Sequence, residues 1–505
     1  MKKFLLFLFT LLLIKLPVSF VTAKFNLDGD ISMPWLMAND WELGRNLKFF
    51  WGQEYMGTSE VWLLNALGRI FWPMPAIIPY ELNLVIAQLF LCLGASFIYV
   101  SLLRIDSDRW SGTKNFWALI VILGFLVPIM EKKAFGVAHG YSLTPLVSGL
   151  AVFFGTRPKS IKFYWYFIAG IFFGHSLYVC RLHLVVTFGL LLTLFLFRDR
   201  WLDKRCFSLL CGLAFAKFLE VYFHLSQNVY SAISIFPLSA RVDNLTETFR
   251  AFSVYFGFSP FGTIETEHAL WFVERYTLNW QDLADYLYAR SYVLAAATLV
   301  YCLLKTPNLR AYTILYSILF VNLAVLTVTY LDLDRPVATR YLMPSAQILP
   351  LLPFLTNVKW FKNGVLVLKS GGLIVYLYSA VIFWTPLLRF SSLLHASSNS
   401  ATTCLMGHGG YLAAISGLNN LVPIIAVDGW RLFGNYSKAI DINDSESIQK
   451  SCDKIIAIEH PNAYDKIMSL SCIVGSEVIR FDGTPTGLVQ YPARVRIVEC
   501  LVKKS

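Results

Sequence analysis

The sequence predicts an all-α polytopic membrane domain of about eleven transmembrane helices followed by a small extracytoplasmic α/β or α+β domain. Three observations carry this expectation. Of 505 residues, 56% are hydrophobic and only 15% charged, with a mean hydropathy of +0.56; a soluble domain averages about 25% charged residues, so this chain cannot cover a water-facing surface along most of its length. Apolar stretches recur near 4–22, 83–103, 115–130, 141–155, 164–178, 182–197, 206–224, 290–304, 312–330, 341–356 and 364–386. From Ser397 onward the apolar runs shorten and Gly, Asn, Ser and Asp rise.

Uniformly apolar runs are expected as helices, because a bilayer core offers no water to an open strand edge. The first run is ambiguous. Met1-Lys2-Lys3, the apolar stretch and Val21-Thr22-Ala23 also suit a cleaved signal peptide, although a retained helix is the favoured reading.

Lys and Arg set the orientation. The formal net charge of +11 could suggest a nucleic-acid partner, but the basic residues fall in short groups between apolar runs rather than on one patch. With the N-terminus cytoplasmic, the short cytoplasmic connections hold sixteen Lys and Arg against four Asp, a surplus of twelve that follows the positive-inside rule. The expectation is a multi-pass protein of a bacterial inner (cytoplasmic) membrane with no nucleic-acid partner. A transmembrane domain spans 1–387, with a catalytic first external loop over 23–82 and a second long one over 225–289; a soluble domain spans 388–505.

In that tail, 421–427, 454–458 and 494–498 read as strands and 461–470 as more helix-like. Four of the nine cysteines lie there, Cys404, Cys452, Cys472 and Cys500. An exported domain could join them in two disulfides, with all three pairings open. Cys92, Cys180, Cys206, Cys211 and Cys302 fall in or beside apolar spans and read as buried filler. Sequons at Asn244, Asn435 and Asn443 matter only in a eukaryotic host.

The most informative stretch is the first external loop. It holds Asp28-Gly29-Asp30, then Trp35-Leu36-Met37-Ala38, then Phe49-Phe50-Trp51-Gly52-Gln53-Glu54-Tyr55-Met56-Gly57-Thr58-Ser59-Glu60. Carboxylates just after a span, in an aromatic-rich loop, sit where a lipid headgroup would be and make a candidate general base. The competing reading is that Asp28 or Asp30 caps the following interfacial helix.

The pattern Gly-Asp, Leu-Met-Ala, then Phe-Phe-Trp-Gly-Gln-x-Tyr-Met-Gly-Thr-x-Glu resembles the first extracytoplasmic loop of polytopic GT-C superfamily glycosyltransferases. The nearest by pattern are bacterial relatives of the protein mannosyltransferases and the lipid A aminoarabinose transferases. Alignment through Leu36-Met37-Ala38 places their acidic residue on Asp30. Ile31 stands where those families have Glu, which leaves Asp28 as a substitute acid. Arg340-Tyr341-Leu342-Met343-Pro344 is similar to their Arg-Tyr-Leu-x-Pro segment, and Gly170 to His183 resembles their paired short helices.

The resemblance implies transfer of a sugar from a polyprenyl-phosphate carrier to an extracytoplasmic lipid, glycan or protein acceptor. One carboxylate acts as base without a covalent intermediate, so the anomeric centre inverts. The departing lipid phosphate needs positive charge. Candidates are Lys132, Lys133, His139, Arg335 and Arg340 with Tyr341, an Arg fork suiting phosphate oxygens. Glu60 is placed by the motif to bind substrate or a metal, with structural pairing to Arg45 or Arg69 as the competing reading. For the others the competing readings are headgroup anchoring by Lys132 and Lys133, a turn at His139, and pairing of Arg340 with Asp332 or Asp334. No cofactor is assigned; a divalent cation is left open, since loop carboxylates alone are weak evidence and no His/Cys cluster has zinc spacing.

Ionisable residues inside spans are costly and often functional. His175, Arg181 and His183 sit where two short helices meet, and Lys217 and Glu220 lie one turn apart. The alternative class is a non-enzymatic transporter or flippase of lipid-linked glycans, disfavoured by the long acidic loop, the folded tail and the lack of an internal repeat. Ile31 keeps a scaffold with a decayed active site as a third option.

Overall fold

The computed structural model describes residues 2–23, 29–40, 49–50, 53–125, 141–156, 161–196, 204–223, 301, 312–328, 343–356, 358–375, 403–407, 423–426, 439–441, 443–458, 472–480 and 494–502. The protein is mostly helical, with one mixed sheet near its C-terminal end. The helices are α1 (Lys2–Ala23), α2 (Gly29–Asn39), α3 (Ser59–Phe71), α4 (Tyr80–Ile105), α5 (Ser107–Trp110), α6 (Thr113–Gly124), α7 (Thr144–Gly155), α8 (Phe163–Val179), α9 (His183–Leu196), α10 (Lys204–Tyr222) and α11 (Thr313–Val328). They continue with α12 (359–375) and α13 (Ser445–Ser451). A short antiparallel pair, β1 (Phe49–Phe50) and β2 (Gln53–Gly57), precedes α3.

Among the described residues, two helical stretches are long and apolar enough to cross a membrane, Lys2–Phe20 and Tyr80–Ile105; α6, α7, α8 and α9 are apolar but shorter. Large apolar side chains also face outward, with Leu13 77% and Phe218 62% exposed. Apart from Tyr301, the expected span at 290–304 lies outside the described residues, as do the part of the last span beyond 375, the loop 225–289, the helix at 461–470, Cys302, and the sequons at Asn244 and Asn435.

Contacts across the bundle follow from small residues. Any Cβ on Gly94 of α4 would collide with the Pro145 carbonyl of α7, and one on Gly149 would collide with the backbone of Gly94. The same holds for Gly170 against Leu209 and for Gly212 against Phe167, which set α8 along α10. Backbones this close are the usual way helices associate where no hydrophobic force drives them together. Helix α1 joins the core through Phe7, whose ring stacks on Tyr99 at 4.3 Å, and through Leu11, which fills the space beside Gly124.

Two buried lysines meet the far end of α6. Lys15 of α1 sets its ammonium 4.3 Å from the centroid of the Phe125 ring. Lys369 of α12 donates to the Ile122 carbonyl at 2.6 Å. A helix C-terminus presents unpaired carbonyls and partial negative charge, which suits both cations.

One expected span is corrected. Residues 341–356 do not form a continuous helix over their described part: Met343–Ala346, a 3-10 turn at Leu349–Leu351 and Leu352–Leu355 follow one another as short turns. Pro344, Pro350 and Pro353 each lack the N–H a helix needs. The segment is buried throughout, with Ser345 donating to Asn322 at 2.6 Å and Arg109 donating to the Leu355 carbonyl at 2.9 Å.

The sheet has the order β5-β4-β3-β6-β8-β7. Strands β3 (Thr403–Gly407), β4 (Ile424–Ala426), β5 (Ala439–Asp441) and β6 (Lys454–Ile458) run parallel, and β7 (Cys472–Arg480) and β8 (Arg494–Val502) extend it antiparallel. A disulfide joins Cys404 and Cys452. It ties β3 to the end of α13, just before β6. Register sets Cys472 opposite Val502 and Cys500 opposite Val474. Asp444 caps α13 by accepting from the Ser447 N–H at 3.0 Å, and those hydrogen bonds hold its carboxyl below the usual range.

Two outcomes check these contacts. Gly170→Val should lower the melting temperature in detergent by several degrees, because it forces α8 off α10; an unchanged value would contradict the close approach. Cys404→Ser with Cys452→Ser should destabilise the sheet by about 4 kcal/mol for a closed loop of this length, read by denaturant unfolding of the tail's hydrogen-exchange protection.

Candidate active site

Over its described residues, the segment expected as the first external loop folds into a unit braced from within. The Trp35 indole donates to the Ile78 carbonyl at 2.6 Å, and Ile78 donates back to the Asn39 side chain at 2.7 Å. Asn65 of α3 donates to the Ala38 carbonyl at 2.8 Å. The motif residues Trp35, Leu36, Met37 and Ala38 are therefore core of the loop, which explains their apolar character. Asp30 lies in the first turn of α2, inside the helix rather than ahead of it. Pro34 has no N–H to offer the Asp30 carbonyl four residues back.

The second half of the motif docks on the helical bundle. A Cβ on Gly57 would run into the Tyr178 ring of α8. Thr58 then hydrogen-bonds the Tyr178 hydroxyl through both its backbone N–H and its side chain. Glu60 follows in the first turn of α3, buried, where a helix N-terminus favours a carboxylate. One competing reading of Glu60 is corrected: Arg69 spends its guanidinium on the Trp72 and Ala76 carbonyls, at 3.2 and 2.6 Å, rather than on Glu60. Arg45 lies outside the described residues.

Beside Tyr178 the ionisable residues of α8 and α10 gather. Lys217 pairs with Glu220 on α10, and both lie within electrostatic reach of His175 on α8. The His175 and Tyr178 rings are 5.7 Å apart between centroids, and Glu220 acts on Tyr178 as well. His183 is buried at the start of α9. Its Nδ1 donates to the Ser176 carbonyl at 3.0 Å, so in the neutral ring Nε2 accepts from the Thr144 hydroxyl at 2.9 Å.

The structure thus brings Thr58, Tyr178, His175, Lys217 and Glu220 into one cluster, with Glu60 two residues along the chain from Thr58. It describes the backbone of Asp30 only. Asp28, Lys132, Lys133, His139, Arg335, Arg340 and Tyr341 lie outside the described residues. Thr58 belongs to the motif, whereas Tyr178 and Thr144 do not stand out in the sequence; for Tyr178 the available signal is the spacing Gly170, Gly174, Tyr178, one stripe of a helix. Among the described residues no group of three His, Cys, Asp or Glu is placed to hold a metal ion.

A braced acidic loop fastened to a helical bundle that is apolar outside and charged within defines the site. No protein-family model matches the chain, and no curated protein does. Two solved structures are similar in outline. They are crystal structures of ArnT from Cupriavidus metallidurans, one in the apo state with a TM-score of 0.47 and one bound to undecaprenyl phosphate with a TM-score of 0.42. Each is 12% identical and covers 97% of this chain and 97% of its own. Overlap at that level assigns no role to any residue here.

The docking contact has a graded test. Tyr178→Phe keeps the ring against Gly57 and loses the bonds to Thr58, so it should cost about 1 kcal/mol. Gly57→Val drives a side chain into the ring and should lower the melting temperature much further. A Tyr178→Phe cost near zero beside a large Gly57→Val loss would show that the ring, and not its hydroxyl, holds the loop; equal costs would show that the hydroxyl bonds matter as much as the ring contact.

Proposed function

We propose that this chain is a polytopic inner-membrane glycosyltransferase of the GT-C type. It moves a sugar from a polyprenyl-phosphate carrier to an acceptor outside the cytoplasm. One observation carries the reading: the motif loop that bears Asp30 is fastened, through Gly57 and Thr58, to Tyr178 on a helix whose neighbours are His175, Lys217 and Glu220. A base on that loop works at the lipid–water boundary, where an anchored donor presents its anomeric carbon. The sequence resemblance in the same loop supports the same chemistry.

In this mechanism the acceptor hydroxyl attacks the anomeric carbon while Asp30, with Asp28 as its substitute, takes the hydroxyl proton. The bond from the anomeric carbon to the phosphate oxygen breaks, and the carrier leaves as polyprenyl phosphate. A single displacement inverts the anomeric centre. Positive charge steadies the leaving phosphate, from Arg340 with Tyr341, Arg335, His139, Lys132 or Lys133. Glu60 binds the substrate. The tail extends from 388 outside the membrane.

Asp30→Asn should lower turnover by about 10²- to 10⁴-fold, the usual worth of a general base, read as polyprenyl phosphate released and sugar transferred. Wild-type rates in both Asp30→Asn and Asp28→Asn would remove the proposed base. Movement of lipid-linked sugar between leaflets without transfer would favour the transporter class instead.

A further inference from the structure

Hydroxyl groups on apolar helices usually turn back to their own backbone, and several do so here. Thr10, Ser96, Ser101 and Thr193 each donate to the carbonyl four residues earlier, at 2.7 to 2.8 Å. Ser148 of α7 and Thr187 of α9 do not. Their hydroxyls are 0% and 3% exposed by residue and have no hydrogen-bond partner. The amide nitrogen of Gln347, a residue 2% exposed, has none either.

These three groups belong to one seam. Thr144 and His183 bond across α7 and α9, and Ser148 and Thr187 each lie four residues further along, on the same helix faces. The turn Met343–Ala346, just before Gln347, touches both helices. His183 links the seam to the carbonyl of Ser176, two residues from the Tyr178 that holds the motif loop. Buried polar groups without partners are rare in folded proteins and call for a polar occupant. The set on offer is two hydroxyls and an amide, with no charge, which suits a neutral hydroxyl-rich ring rather than a phosphate.

We propose that the α7–α9 seam is the subsite for the sugar ring of the lipid-linked donor, with Ser148, Thr187 and Gln347 as specificity-determining contacts. This rests on the glycosyltransferase reading above and adds to it where the sugar is recognised.

The test compares wild type with Ser148→Ala, Thr187→Val and Gln347→Leu in lipid nanodiscs, by thermophoresis against bare polyprenyl phosphate and against polyprenyl-phosphate carriers of two hexoses and a pentose. Wild type should bind at least one sugar-bearing carrier more tightly than the bare one. Each variant should lose about tenfold of that preference, the worth of one hydrogen bond to a buried group, with bare-carrier binding unchanged. Thr187→Ser, which restores the hydroxyl, should restore it, including where Thr187→Val folds poorly. The proposal is overturned by a wild type with no sugar preference, by variants that keep it, or by equal losses on the bare carrier. Variants that are more stable with preference intact would mean a seam filled by water alone, and would also overturn it. A wild type that binds sugar carriers selectively yet transfers no sugar would sink the enzyme reading while leaving the subsite standing.

Discussion

The close approach of α8 and α10 organises the rest of the bundle. Gly170, Gly174 and Tyr178 form one stripe at four-residue spacing, and Ser208, Gly212, Ala216 and Glu220 form the facing stripe. The small residues let the backbones touch; the same register then delivers Tyr178 and Glu220 to one level, with His175 and Lys217 one residue beyond each small partner. A larger side chain at Gly170 or Gly212 would displace the charged end of both helices together. Packing and chemistry are therefore set by one geometric constraint, and the loop motif reads that constraint out through Gly57 against the Tyr178 ring.

Hydropathy alone made the helical character legible, because a run of Leu, Phe and Ile has few other ways to bury its backbone. It failed at 341–356, where the composition is apolar but Pro344, Pro350 and Pro353 divide the segment into buried turns. Residue type also misled at Arg69, whose charge suggested a partner in Glu60, while its geometry gives it two carbonyls. The pairing of Cys404 with Cys452 was beyond the sequence, since it depends on β3 lying beside β6 across 48 residues. Within the site, the charged members were visible because charge in an apolar run is conspicuous. Tyr178 and Thr144 were not, because their importance lies in what faces them.

Charge placement shows how the fold tolerates cations at depth. The sequence distributes its basic surplus to short connections, yet Lys15 and Lys369 are wholly buried. Each answers the end of α6, one through an aromatic face and one through a carbonyl. Such lysines tie the first described helix and α12 to the same point, so a charge that looks anomalous in a hydropathy plot acts as a fastener between elements far apart in the chain.

Polarity runs inward in this bundle. Phe163, Phe188, Phe207 and Phe218 face out, while Asn322, His183, Thr187 and Gln347 face in. A water-soluble bundle with that arrangement would expose its largest apolar rings and strand its polar groups in the core, both costly. In a lipid surround the outward rings cost nothing, and the inward polar groups become the scarce resource. Those already matched, as at Thr144 with His183, fix helix positions; those left unmatched, at Ser148 and Thr187, mark where the bundle has kept hydrogen-bonding capacity for something other than itself.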